Sequence, residues 1–180
     1  MDAVQNSQTD PVTDTLNRAA FSATLQQEVS LAQRGGSPLS LIVLDIDNFK
    51  LINDSHGHAV GDKALKAASK IILESIRQSD SLFRYGGDEF TIVLRQTASR
   101  GACQLAERIR SSIENLSYFD ARRKVNFSVS LGVANFRPQD SEEILFQRAD
   151  TALMHAKKMG RNQVVCAEDF ASDSKQEEED

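Results

Sequence analysis

Long apolar runs are missing from this chain. No stretch of its 180 residues approaches the roughly 20 consecutive apolar side chains a bilayer-spanning helix needs. Its opening, Met-Asp-Ala-Val-Gln-Asn, lacks signal-peptide character. The location expected is therefore cytoplasmic, or the cytosolic part of a longer, membrane-anchored protein, with no direct membrane insertion of this segment. Cysteine is scarce: Cys103 and Cys166 lie far apart without metal-ligand spacing, and the expectation is two reduced, buried thiols. A charge excess is absent from the body too. The formal net charge is −5, but residues 171–180 carry five acids against Lys175, which is −4, so the first 170 residues stand at −1. That excludes the basic footprint of a nucleic-acid binder. The acidic end reads as a disordered, solubilising tail.

What is present is 40% hydrophobic content at a length suited to one compact domain. The expected organisation is a flexible tail over 1–9, one domain over 10–168 and the acidic tail over 169–180. Phe21, Leu25, Val29 and Ala32 recur at helical spacing, and Gly35-Gly36-Ser37-Pro38 stops that helix. Residues 39–44 form an apolar run short enough for a strand buried on both faces, closed by Asp45-Ile46-Asp47. A short helical turn over 48–54 breaks at Ser55-His56-Gly57-His58. Leu65, Ala68, Ile72 and Ile76 mark a second long helix, and Ala102, Leu105, Ala106, Ile109, Ile113 and Leu116 a third. Val125, Phe127, Val129, Leu131 and Val133 alternate as one strand with a strongly apolar face. Ile144 to Ala156 gives a last helix and residues 163–166 a last strand. The order predicts an α/β (α+β) fold with a mixed, mainly antiparallel sheet flanked by helices, its first strand central through helical crossovers.

Between Phe83 and Phe90 stands Arg-Tyr-Gly-Gly-Asp-Glu, a hairpin with an acidic tip. Gly86 and Gly87 would supply positive φ angles and let a ligand approach the backbone. Asp88 and Glu89 are hard oxygen ligands for a divalent cation, although a solvated acidic turn reads equally well from the hairpin alone. If the hairpin pairs beside residues 39–44, Asp88 and Glu89 arrive next to Asp45 and Asp47. Such a gathering repels itself without a cation, and with two Mg²⁺ it becomes a clamp for phosphoryl chemistry. Only one of Asp45 and Asp47 is expected to reach metal; the alternative for Asp47 is to cap the helix that follows.

Leu-Asp-Ile-Asp-Asn-Phe-Lys-Leu-Ile-Asn-Asp-Ser-His-Gly-His-Ala-Val-Gly-Asp, followed by Arg-Tyr-Gly-Gly-Asp-Glu-Phe, resembles the GGDEF domain of diguanylate cyclases. Val-Ser-Leu-Gly-Val-Ala (129–134) and the Ala149-Asp150 to Asn162 segment extend the likeness over nearly the whole body. The resemblance implies a nucleotide-cyclase and polymerase-palm fold with a ferredoxin-like core. It implies condensation of two GTP into cyclic di-GMP with release of two pyrophosphates, dependent on Mg²⁺ or Mn²⁺ and carried out by a homodimer. By motif, Asp45, the Ile46 carbonyl and Asp88 resemble metal ligands, with Asp88 also the general base and Glu89 its acidic partner. Phe49, Lys50, Asn53, His58 and Asp62 resemble the GTP pocket, and Asp62 can accept from both N1–H and the amine of guanine. Lys157 and Arg161 would bind triphosphate; by themselves they read as cations favoured at a helix C-terminus.

Arg77-Gln78-Ser79-Asp80 reads alone as a helix-end pair. Five residues before the Gly-Gly, it resembles the family's inhibitory cyclic di-GMP site, with Arg108 as a supporting cation. One departure is visible. The family's opening resembles Asp-x-Leu-Thr-Gly-Leu-x-Asn-Arg, whereas Asp14-Thr15 replaces the Gly-Leu here, so altered coupling to an upstream sensory or dimerisation module is expected. The intact acids favour an active enzyme; the alternative is a silent GGDEF domain that senses cyclic di-GMP or GTP.

Overall fold

The structure, a computed structural model, describes residues 8–120 and 122–169. The elements are β1 (Leu16–Asn17), α1 (Arg18–Gly35), β2 (Leu39–Ile46), α2 (Phe49–His56), α3 (His58–Ser75), β3 (Ser81–Arg84), β4 (Glu89–Arg95), α4 (Ser99–Glu114), β5 (Tyr118–Asp120), β6 (Arg123–Val125), β7 (Val129–Asn135), α5 (Glu142–Lys158) and β8 (Val164–Cys166). Six strands form one sheet in the order β1-β3-β4-β2-β7-β8.

The strand read from residues 39–44 is central, but its neighbours β4 and β7 both run antiparallel to it. Parallel pairing is confined to the outer pairs, β1 with β3 and β7 with β8. Every residue of β2 is buried, because each face is covered by helices. Ile42, Leu44 and Ile46 join the core beneath α2, α3 and α4. Leu39, Leu41 and Val43 join the other, beneath α1 and α5. Burying each such side chain is worth roughly 2 kcal/mol, so β2 is anchored from both faces.

Helix ends obey local chemistry. Asn17 caps α1 by accepting from the Ala20 amide at 3.1 Å, and Gly36, at φ 65°, ends it in a left-handed turn. Ser141 caps α5, whose first turn carries Glu142 and Glu143 and whose last carries His155, Lys157 and Lys158. Gly132 matters most for packing. A Cβ there would lie 2.0 Å from the Ala149 carbonyl oxygen and 2.3 Å from the Leu153 nitrogen, so α5 rests directly on the β7 backbone. That contact sets the depth at which Lys157 reaches the sheet end.

Several expectations are corrected. The alternation over 125–133 is not one strand: β6 ends at Val125 and β7 begins at Val129, and β6 pairs with β5 in a separate hairpin. Cys103 and Cys166, 63 residues apart, are not separate thiols but a disulfide with Cα atoms 6.5 Å apart, since α4 packs across β8. Gln8 and Thr9, assigned to the tail, already pair: the Gln8 carbonyl accepts from Asn17 and Thr9 bridges Leu16. The remaining tail residues, 1–7 and 170–180, lie outside the described residues. Among the described residues no helix is long and apolar enough to cross a membrane.

Candidate active site

The register of two strands creates the site. Asp45, the last residue but one of β2, pairs with Glu89, the first of β4. The Asp88 carbonyl accepts from Ile46 N–H at 3.1 Å, locking the tip against β2. The turn closes on itself, with Tyr85 and Gly86 amides both donating to the Glu89 carbonyl, at 2.8 and 3.2 Å. Neither Gly86 nor Gly87 has a positive φ, which corrects the turn geometry expected of them. Their smallness leaves space instead: nothing lies within 4 Å of where a Gly87 Cβ would stand.

Arg84 fastens the tip from behind. Its guanidinium donates to the Gly86 carbonyl at 3.2 Å and the Gly87 carbonyl at 2.8 Å. It also grips both Asp10 oxygens, at 2.9 and 3.1 Å. Burial alone would raise the Asp10 carboxyl, but the Thr13 amide and Arg84 hold it below its usual value. Asp10 sits in the atypical opening, where Asp14 adopts φ 58° and Thr13 and Thr15 hydroxyls meet at 2.8 Å. Asp14 thus occupies a left-handed position that a glycine would fill without strain.

The acids do converge. Burial first, then the charges of Asp45 and Asp150, push the Glu89 carboxyl up to about 7. Burial also raises Asp45, partly offset by Lys157, with Asp88 and Asp150 adding to the rise. Lys157 itself is held protonated, because its bond to Asp45 outweighs its own burial. Lys157 therefore neutralises the acids in this state, where triphosphate contact was expected. The second Asp45 oxygen, Oδ1, is buried with no hydrogen-bond partner. An unpartnered buried carboxylate oxygen beside further acids suits a divalent cation. No closed cage of three or more acidic, His or Cys groups exists among the described residues, so any ion would lean on backbone and ligand oxygens as well.

Asp47 does not cap the helix that follows, the alternative its position offered. Its carboxylate accepts from Ser128 and Ser130 hydroxyls, at 2.7 and 2.6 Å, and from the Asn162 amide at 3.0 Å. The N-cap position of α2 is held by Asn48, at φ 53° and without a side-chain cap bond. Asp47 ties β7 and the loop after α5 to the end of β2. Asp150 was missed as a site residue. Its signal was available: on α5 it lies seven positions before Lys157, two turns away on the same face.

The α2–α3 corner holds the other candidates. Gly57, at φ 86°, breaks the helix and lets α3 fold back along α2. A Cβ on Gly61 would meet Asn53 Oδ1 at 1.9 Å and Phe49 Cζ at 3.2 Å, so Phe49 and Asn53 both lean on this glycine. Asn53 Oδ1 is also buried without a partner. Lys50, His58 and Asp62 are exposed beside them, and Arg161, exposed at φ 65°, follows α5. Arg77, Asp80 and Arg108 meet at the other end of β3 around a cavity of about 220 Å³. Asp80 accepts from the Arg77 and Arg95 amides, at 3.0 and 3.2 Å, and Arg108 donates to the Ser75 carbonyl at 2.7 Å. Four strand residues, roughly 13 Å, separate this cavity from the acidic tip.

Residues 7–163 match the family model described as diguanylate cyclase, GGDEF domain. The chain belongs to the GGDEF diguanylate cyclase family. It is 40% identical over 166 residues to diguanylate cyclase DgcP of Pseudomonas aeruginosa, covering 92% of this chain and 25% of that one. It is 42% identical over 156 residues to diguanylate cyclase DosC of Escherichia coli, covering 86% of this chain and 34% of that one. The chain thus spans about a quarter to a third of these curated relatives. The GGDEF domain of DgcB from Caulobacter crescentus, solved in complex with c-di-GMP, superposes with a TM-score of 0.89 at 32% identity, covering 93% and 99% of the two chains. The GGDEF fold expected from the sequence is the fold observed.

Proposed function

We propose that this domain is an active diguanylate cyclase, condensing two GTP into cyclic di-GMP and two pyrophosphates. The observation that carries the reading is the register pairing of Asp45 with Glu89, with Asp88 beside them and no acid of the tip replaced. In each half-reaction a ribose 3′-hydroxyl attacks the α-phosphorus of the other GTP and pyrophosphate leaves. A carboxylate at Asp88, with Glu89 near neutral pH in its affinity for a proton, is suited to take the hydroxyl proton. Asp45, the Ile46 carbonyl and Asp88 would hold Mg²⁺ or Mn²⁺, which when bound supplies charge neutralisation of the phosphates. Lys157, with Arg161 and Lys50, would contact the triphosphate, their charges offsetting those of the phosphates. Phe49, Asn53, His58 and Asp62 would receive the base, with Asp62 accepting from the N1–H and amine that distinguish guanine from adenine.

One site holds one GTP, and a two-fold symmetric product needs two sites facing each other. The working unit is therefore a homodimer, brought together by an upstream module of the kind its length relative to its relatives leaves room for. Arg77, Asp80 and Arg108 would bind product and restrain turnover, Arg77 and Arg108 gripping phosphate or a guanine edge. The domain is expected to release cyclic di-GMP and pyrophosphate from GTP with MgCl₂, and Asp88→Asn to abolish both. Absence of product at high protein concentration, even on forced dimerisation, would leave a nucleotide-sensing domain and overturn the enzyme reading. Arg77→Ala should keep basal turnover and lose inhibition by added cyclic di-GMP; unchanged inhibition would remove the product site.

A further inference from the structure

The segment that follows α5 is held in an unfavourable conformation. Gly160, Arg161 and Asn162 are three consecutive residues with positive φ, at 114°, 65° and 47°. Gly160 and Asn162 enter this region readily, whereas Arg161 keeps its angle only where surrounding contacts over-determine it. On one side the contacts are polar: Asn162 donates to Asp47 and Glu114 and accepts from Arg110, at 3.0, 2.7 and 2.8 Å. On the other side the segment runs into β8, a three-residue strand that pairs with β7 at the sheet edge among the described residues. Its last residue, Cys166, is bonded to Cys103 on α4. The strained segment is thus clamped to one helix twice, through Glu114 and Arg110 near its C-terminus and through Cys103 nearer its start.

We propose that the Cys103–Cys166 pair is a reversible redox modification site, oxidised by thiol–disulfide exchange with a low-molecular-weight disulfide, that sets the order of residues 159–166. The Cα separation of 6.5 Å lies within the roughly 4.4–6.8 Å that disulfides span. Both residues are only partly buried, Cys166 on the edge strand β8 and Cys103 on the helix packed across it. One cysteine thiolate attacks glutathione disulfide, forming a mixed disulfide and releasing one glutathione. The second thiolate displaces the other glutathione, and the two protons lost by the cysteines end on the two released thiols. Excess glutathione runs both steps backwards. In the reduced state β8 keeps its short parallel pairing, while the segment loses one of its two links to α4. Arg161 rides on that segment, so the consequence for GTP binding rests on its proposed place at the triphosphate.

The test equilibrates the intact chain in glutathione buffers of graded ratio, quenches with acid, alkylates with N-ethylmaleimide and reads the intact mass. The expected result is one transition between a doubly alkylated species and an unalkylated species about 2 Da lighter than the reduced chain. Closing a 63-residue loop should raise the melting temperature on the order of 10 °C. Amide exchange over 159–166 should slow in the oxidised form. Cys103→Ala and Cys166→Ala should each retain one glutathione adduct under oxidising buffer and gain no thermal stability. Stable adducts on the unsubstituted chain, cross-linked pairs of chains, or bond formation without slower exchange over 159–166 would each overturn the proposal. If exchange slows and KM for GTP is unchanged in the active enzyme, the switch stands and the assignment of Arg161 falls.

Discussion

Gly61→Ala separates the base pocket from the stability of the fold. The glycine lies in the first turn of α3 with no positive φ, so alanine is favoured there by about 1 kcal/mol in helix propensity. The new methyl would fall 1.9 Å from Asn53 Oδ1 and 2.9 Å from Asn53 Cγ, which cannot coexist with the present Asn53 rotamer. Phe49, 3.2 Å away at Cζ, has to give only a few tenths of an ångström. Asn53 Oδ1 makes no hydrogen bond where it is, so moving it sacrifices none. Propensity gain and local repacking therefore offset each other to within about 1 kcal/mol. Function is affected more strongly, because a displaced Asn53 cannot meet guanine. Losing one such hydrogen bond costs about 1–2 kcal/mol, a rise in KM for GTP of roughly 5- to 30-fold with kcat little changed. Initial rates against GTP concentration, with melting curves on the same samples, measure both. Adding Gly61→Ala to Asn53→Ala should raise KM little further, since the two act through one side chain. A folded Gly61→Ala variant with unchanged KM would refute Asn53 as a base contact.

Three further outcomes are expected. Gly132→Ala directs a methyl into the backbone of Ala149 and Leu153, which cannot step aside; stability should fall by at least about 3 kcal/mol, seen as a melting temperature lower by roughly 6–12 °C or as insolubility. Because the folded Glu89 carboxyl holds its proton up to about pH 7, against an ordinary value of 4.5, the metal-free domain should lose stability as pH rises from 4.5 to 7 and level off above. Glu89→Gln should then be more stable by about 1–2 kcal/mol at pH 8 in EDTA and equal near pH 4.5, a gain erased by Mg²⁺; parallel melting curves for the two proteins would contradict it. Asp14→Gly relieves a side chain at φ 58° and should stabilise by about 0.5–1 kcal/mol in urea titration.

Helix and strand patterning was legible wherever neighbours in sequence are neighbours in space. The apolar run at 39–44, the helical spacing from Phe21 to Ala32 and the hairpin before Phe90 all stand where periodicity put them. Where one pattern serves two elements, periodicity fails: Val125 and Val129 share an alternation, yet belong to β6 and β7. The two-residue β1 is too short to carry any period. The hairpin expected to pair beside residues 39–44 does so, which sets Glu89 opposite Asp45 and Asp88 beside Ile46. The motif included Asp150 without giving it a part in the site, although it contributes charge from α5, and nothing pointed to the Arg84–Asp10 clasp spanning 74 residues.

Residue by residue, the sequence determined the family, the acidic tip and the helices that carry its partners, because those depend on side-chain order along a few turns. Only the tertiary structure decided that β2 is flanked by antiparallel strands, that Asp47 is spent on Ser128, Ser130 and Asn162, and that Lys157 answers Asp45. It alone joined Cys103 to Cys166. Each of these is a meeting of segments tens of residues apart, set by how α4 and α5 seat on the sheet; side-chain spacing along one element carries no record of that seating.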